Sequence, residues 1–248
     1  MFGTFHSLLN FILKILPGIV IVLAIFIIMK PQKKLRIILY IFSFVLIRDA
    51  MTPLNLWFLG EYKGLLWIRL SEDPLFLILF GIFSLFIVVG LYLLDKENRE
   101  YLKWFKENKL IGILIGIVGC VLVVLPFFVF YKFINIDLRG GIVQSALMLP
   151  LLVFALFGNL FEETLFRGYV IGCIDSSKSM LYKGFLSGVI FSLCHIFLAI
   201  TVTDIGTPLL VFTLWEGVIV GAVGVKYGII PATLTHGGAI FLLSSGLL

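Results

Sequence analysis

The chain has 248 residues, 61% of them hydrophobic and only 13% charged. Soluble domains carry about 25% charged residues, so the composition excludes an ordinary soluble protein and specifies an integral membrane one. The net charge of +5 is no nucleic-acid signature, because in a membrane chain the placement of Lys and Arg matters more than their total. A spanning helix uses about 20 apolar residues, which leaves room for about eight helices and no separate soluble domain. Cys120, Cys173 and Cys194 lie in or beside apolar segments. Their odd number and spacing match no metal motif, and they read as buried thiols.

In chain order, the first apolar span runs from about Leu8 to Met29 and is interrupted by Lys14 and Pro17. No A-x-A-like cleavage site follows it, so it reads as an uncleaved first helix rather than a signal peptide. A basic stretch, Lys30 to Arg36, leads to span two, from Ile37 to about Thr52, with Arg48 and Asp49 near its far end. These two charges are expected to sit near an interface or to pair locally. The segment from Pro53 to Pro74 mixes Trp57, Tyr62 and Trp67 with Glu61, Lys63, Arg69, Glu72 and Asp73. That mixture predicts an interfacial loop or a short amphipathic helix with an aromatic belt.

Span three is Leu75 to Leu94, and span four runs from Leu110 to about Phe130 after the polar segment Asp95 to Lys109. Gly112-x-x-x-Gly116 in span four suggests close helix contact. The apolar run from about Ile142 to Cys173 would be roughly 50 Å long as one helix. It must therefore tilt, project beyond the bilayer or break near Pro150. Span six is Gly184 to about Ile200 with His195, and the following turn holds Asp204. Span seven, Leu209 to Val225, carries Glu216, Gly217, Gly221 and Gly224; span eight, Ile229 to about Gly246, carries His236. The loops after spans one, three, five and seven hold twelve Lys and Arg, against four in the alternate loops. The positive-inside rule then puts both termini outside.

One stretch stands out: Asn159-Leu-Phe-Glu162-Glu163-Thr-Leu-Phe-Arg167-Gly168-Tyr169. A charge at a membrane helix centre costs roughly 2.5–3.5 kcal/mol on insertion scales, so ionisable groups there are functional candidates. On a helix Glu163 and Arg167 are i and i+4 and can pair, while Glu162 lies about 100° around the axis. Glu162 is then left as the unpaired carboxylate, able to exchange protons with water or a leaving group. From composition alone the three charges fit a catalytic site, a transport pathway or a helix-packing network. His195 and His236 are single polar groups on separate apolar helices. With Glu162 they could build a site between three helices. Two histidines and one carboxylate also form a familiar zinc set, but no HExxH is present, so a metal is secondary.

Taken together, Glu162-Glu163-x-x-x-Arg167, Phe191-x-x-x-His195 and His236 resemble the CAAX prenyl endopeptidase and bacteriocin-processing family, also called the Abi family. Gly217-x-x-x-Gly221 and the Tyr227-Gly-Ile-Ile-Pro231 approach to His236 add to the likeness, which covers about residues 145 to 246. The resemblance implies a glutamate-type intramembrane protease without a catalytic metal or other cofactor. Glu162 and His195 would activate water, His236 would lie near the oxyanion, and Glu163 with Arg167 would support the site. Many relatives have Asn or Asp four residues after the last histidine, where this chain has Ile240. Thr235 and Glu216 are polar groups on the relevant spans that could compensate, although Glu216 reads first as a packing or cavity-lining residue. Ser244 and Ser245 lie about two turns from His236 and are poor substitutes.

The sequence therefore predicts an all-α polytopic membrane bundle of about eight helices. Residues 1–141 would form N-terminal helices without a motif and residues 142–248 a protease-like core, together one integrated membrane domain. The expected partners are a membrane-associated protein or peptide substrate and the lipid bilayer, in a prokaryotic cytoplasmic membrane, with no nucleic acid. A non-catalytic immunity or accessory protein, or a proton-coupled transporter, are the rival functions.

Overall fold

A computed structural model of the chain describes residues 2–49, 56–62, 65–203 and 205–248. Asp204, the Asp49 side chain and the parts of the interfacial segment at 50–55 and 63–64 lie outside the described residues. The fold is a bundle of helices. α1 is Phe2–Ala24, running on as a π-helical Ile25–Met29, and α2 is Lys33–Asp49. After a hairpin, β1 (Trp57–Tyr62) and β2 (Leu65–Leu70), come α3 (Pro74–Leu94) and α4 (Lys109–Tyr131). α5 is Ser145–Glu163, extended by a π-helical Thr164–Val170 and a last turn Ile171–Cys173. α6 (Met180–Leu193), α7 (Thr207–Tyr227) and α8 (Ile229–Ser245) complete it.

Among the described residues six helical segments are long and apolar enough to cross a membrane, and α8 is a shorter apolar one. Their outer faces carry Leu, Ile, Val and Phe that no other part of the chain covers, for instance Leu110, Leu114, Ile117 and Val121 along α4. Such side chains are stable facing lipid rather than water. Local sequence sets where helices begin. Asp73 Oδ1 accepts from the backbone N–H of Leu75 and Phe76 with Pro74 just inside the helix, and Asn108 Oδ1 caps α4 the same way. These contacts satisfy donors that a helix start leaves free. Gly228, at φ 102°, makes the tight turn from α7 into α8, a conformation that an L side chain rarely adopts.

One expectation is corrected. The segment after α2 forms an antiparallel hairpin, with Trp57 opposite Leu70 and Tyr62 opposite Leu65, instead of an interfacial loop or amphipathic helix. Backbone polar groups cannot be left open in an apolar medium, so a hairpin there must be buried in protein. Tyr131 Oη donates to the Leu66 carbonyl at 2.7 Å, and Arg69 donates to the carbonyls of Ile68 at 2.7 Å and Leu243 at 2.8 Å. Arg69 thus serves as a tie between the hairpin and the end of α8, and burial lowers its pKa. Of the three alternatives for the long apolar run, the break near Pro150 is not taken: α5 continues through it and changes at Thr164, where the winding widens to a π-helix. Pro150 lies in the second turn, where it removes only one helical hydrogen bond.

The loops fall into the two sets expected from their alternation. Lys33 pairs with Glu100 at 2.8 Å, and Arg36 bridges Asp95 at 3.2 Å and Glu97, so the α1–α2 and α3–α4 connections share one end. Lys106 joins that end to α7, donating to the carbonyls of Gly224 and Val225 at 3.1 and 3.0 Å. A cation at a helix C-terminus complements its dipole.

Glycines bring the helices of the core together. A Cβ on Gly116 would lie 2.8 Å from the Pro231 carbonyl oxygen, and one on Gly237 would lie 2.6 Å from that of Ala155, so α8 is held against both α4 and α5. Between α6 and α7, a Cβ on Gly221 would collide with the Gly184 carbonyl oxygen. Small residues allow this approach of backbones in a membrane. Gly221→Val should force the two helices apart and cost roughly 1–3 kcal/mol or more. Its unfolding midpoint in detergent is expected to fall; an unchanged midpoint would contradict the close crossing.

Candidate active site

The polar interior is built from α2, α5, α6, α7 and α8. Glu162 and Glu163 are the last two residues of the α-helical part of α5, and both are buried. The π-helical turns that follow set Arg167 back beside Glu163, with Nη1 donating to Oε1 at 3.0 Å. Its Nη2 reaches the Gly217 carbonyl of α7 at 2.9 Å, and its guanidinium lies 4.6 Å from the Phe191 ring centre. Gly224 leaves space for this side chain, since a Cβ there would be 2.5 Å from Arg167 Cγ. Ser187 of α6 donates to the Phe166 carbonyl at 3.1 Å within the widened turn. Departures of this kind from regular helix are frequent at functional sites.

Glu162 is not the unpaired carboxylate expected. Arg48 of α2 donates to its Oε1, 114 residues away in the chain. This also corrects the local or interfacial placement of Arg48, whose side chain is only 4% exposed. The guanidinium is enclosed by the rings of Phe44, Phe80 and Trp57, with centres 5.5, 5.3 and 6.0 Å away. The physical reason is simple: an arginine carried into the apolar interior needs a counter-charge, and Glu163 already has Arg167.

His195 falls where α6 stops being regular, just after Leu193. Its Nδ1 lies 2.8 Å from the Phe191 carbonyl oxygen. That oxygen can only accept, so Nδ1 carries the hydrogen and Nε2 faces the site. The Phe-x-x-x-His spacing therefore has a mechanical meaning, because the carbonyl one turn back fixes the ring. Nε2 stands 3.6 Å from Glu162 Oε2. On α8, His236 Nδ1 lies 2.8 Å from Glu163 Oε1, and its Nε2 stands 3.6 Å from Glu216 Oε2 of α7.

These groups surround one small cavity of about 40 Å³, lined by Glu162, His195, Glu216, His236 and Asn159. Trp57, Leu59 and Ile68 of the hairpin close one side, and Ile240 gives an apolar patch of wall. A buried water needs roughly 10–15 Å³, so the cavity takes water but not a peptide.

Other residues are resolved as well. Thr235 donates to the Gly116 and Pro231 carbonyls at 3.0 and 3.1 Å, so its hydroxyl serves helix packing. Ser244 donates to its own helix at Ile240 O, 2.6 Å away. Glu216, by contrast, lines the cavity. The Arg48–Glu162 pair is what sequence reasoning missed, and charge matching would have narrowed it. Once Glu163 is assigned to Arg167, Arg48 is left with Glu162 and Glu216 as the carboxylates on apolar spans that it could meet. Among the described residues, no group of three or more His, Cys, Asp or Glu side chains could hold a metal ion.

A helical membrane bundle with carboxylates and histidines gathered around a buried, water-sized cavity is the class that fold and site define. Residues 144–242 match the family model described as type II CAAX prenyl endopeptidase Rce1-like. The match spans α5 to most of α8 and supports the CAAX protease and Abi family recognised from the motifs, and with it a peptidase in general. No curated protein and no solved structure matches the chain.

Removing one member of a buried ion pair leaves the other charge uncompensated, at a cost of about 3–5 kcal/mol. Arg48→Met should therefore lower stability in detergent by that amount. The double variant with Glu162→Gln should recover most of the loss. Additive losses in the double variant would show that the two side chains do not interact.

Proposed function

We propose that the chain is an intramembrane endopeptidase that hydrolyses a peptide bond in a membrane-associated protein or peptide, using a water activated by Glu162. The observation that carries this reading is the approach of Glu162 Oε2 to the outward-facing His195 Nε2, 3.6 Å apart on the wall of a water-sized cavity. Two proton acceptors aimed at one small space can orient a water and take its proton as it attacks a carbonyl carbon. The Phe191 carbonyl, which accepts from Nδ1, leaves Nε2 as the basic nitrogen. Arg48 holds the other Glu162 oxygen and so orients the carboxylate.

Glu163 and Arg167 are positioning residues in this scheme. Together they anchor His236 Nδ1, so that Nε2 faces the cavity near where the oxyanion develops. The mechanism needs no resident metal or other cofactor. The twelve basic residues on one set of loops support a cytoplasmic location for that end and termini on the outer side. A prokaryotic cytoplasmic membrane is the setting that fits, with an unprenylated anchored peptide as substrate.

Ile240 on the cavity wall favours a second reading, a non-catalytic immunity or accessory protein that binds a peptide on the same scaffold. Purified protein in vesicles, supplied with membrane-anchored peptides, separates the two. Glu162→Gln is expected to insert normally and lose turnover by on the order of 10²–10⁴-fold, the range for a general base. A chelator should leave the wild-type rate unchanged. Full turnover by Glu162→Gln would sink the mechanism, and chelator loss restored by zinc would replace it with a metal-dependent one.

A further inference from the structure

The buried charges of the interior do not balance as drawn. Arg48 neutralises Glu162, and Arg167 neutralises Glu163. Glu216, 2% exposed, is a third buried carboxylate of the site and has no lysine or arginine within salt-bridge distance among the described residues. Among the same residues its Oε1 has no hydrogen-bond partner, and its Oε2 faces His236 Nε2, 3.6 Å away. An isolated ionised carboxylate in such a place is very costly, and the ordinary remedy is a proton. That proton has two places to sit: on Glu216 itself, or on His236 Nε2, whose other nitrogen is tied to Glu163.

We propose that Glu216 and His236 share one proton, and that this pair is the acid of the site, delivering the proton to the nitrogen of the cleaved peptide bond. This role rests on the hydrolytic reading above, whereas the shared proton does not. The division of labour follows from the geometry. Glu162 and His195 form one wall of the cavity and collect a proton; Glu216 and His236 form another and hold one. As water held by Glu162 attacks, its oxygen bonds to the carbonyl carbon and its proton passes by way of Glu162 to His195 Nε2. The carbon–nitrogen bond then breaks, and the nitrogen takes the proton from His236 Nε2, so that a neutral amine leaves. The proton on His195 returns to the pair through the product acid and the water that replaces it, and the site is reset with no outside reagent. Glu216 acts through His236 and is a positioning residue. The other ionisable groups around the pair are Glu162, Glu163 and Arg167 of α5, His195 of α6 and Cys120 of α4.

The test combines spectroscopy with two chemical probes on the full-length protein in vesicles at neutral pH. Nitrogen NMR of labelled histidine reads the His236 ring, and infrared spectra with labelled glutamate, wild type minus Glu216→Gln, read the Glu216 carboxyl. Either a doubly protonated His236 or a protonated Glu216 is expected. A neutral His236 beside an ionised Glu216 would overturn the shared proton. For activity, a membrane-anchored peptide amide is compared with the corresponding aryl ester, whose leaving group needs no proton. Glu216→Gln should slow amide cleavage by on the order of 10²-fold and ester cleavage by less than about threefold, with Glu216→Asp restoring part of the amide rate. Equal losses on both probes, or none on either, would overturn the acid role while leaving the hydrolytic reading intact. Cleavage of neither probe by the wild type would instead overturn the hydrolytic reading, and the acid role with it.

Discussion

Everything in this fold answers to one constraint: charges placed in an apolar interior must be matched there. Glu162 with Arg48 and Glu163 with Arg167 are the solutions, and they dictate which helices meet. Arg48 brings α2 from the N-terminal part of the chain against α5. Arg167 brings α7 against the π-helical end of α5 through the Gly217 carbonyl. His236 fastens α8 to the same carboxylate. A buried pair gains little over an apolar one in stability, so its use lies in fixing a unique arrangement with directed polar atoms.

The close approach that this requires comes from the absence of side chains. Gly224 vacates the volume that Arg167 fills, Gly237 lets α8 reach α5 at the level of His236, and Gly221 meets the backbone of α6. The widened turns after Glu163 have a related effect, since Ser187 serves the carbonyl of Phe166 there. The hairpin then seals the site with Trp57, Leu59 and Ile68. The cavity in the described structure thus has room for water beside its carboxylates and none for a peptide chain.

Much of this was legible in the residues, and the failures are instructive. Apolar runs located the helices because a bilayer imposes about 20 residues on each span. The i, i+4 spacing of Glu163 and Arg167 foretold their pairing, as the three motifs foretold the family-model match over residues 144–242. The contact of Arg48 with Glu162 was not read, because it joins residues 114 positions apart and no local spacing encodes it. The hairpin was misread because its charges suggested water. Arg69, the buried one among them, is instead satisfied by the carbonyls of Ile68, Gly141 and Leu243. Glu216 was visible as a polar residue on an apolar span, but its lack of a cationic partner is a fact of three dimensions.

The central claim is that these buried groups make one hydrolytic site for anchored peptides. Its most direct test is mass spectrometry of membrane-anchored peptides from cells carrying the wild-type chain, the Glu162→Gln variant or neither. The account predicts a set of shortened peptides, cut at one kind of site near the membrane, in wild-type cells alone. The same peptides, equally abundant in all three, would contradict it.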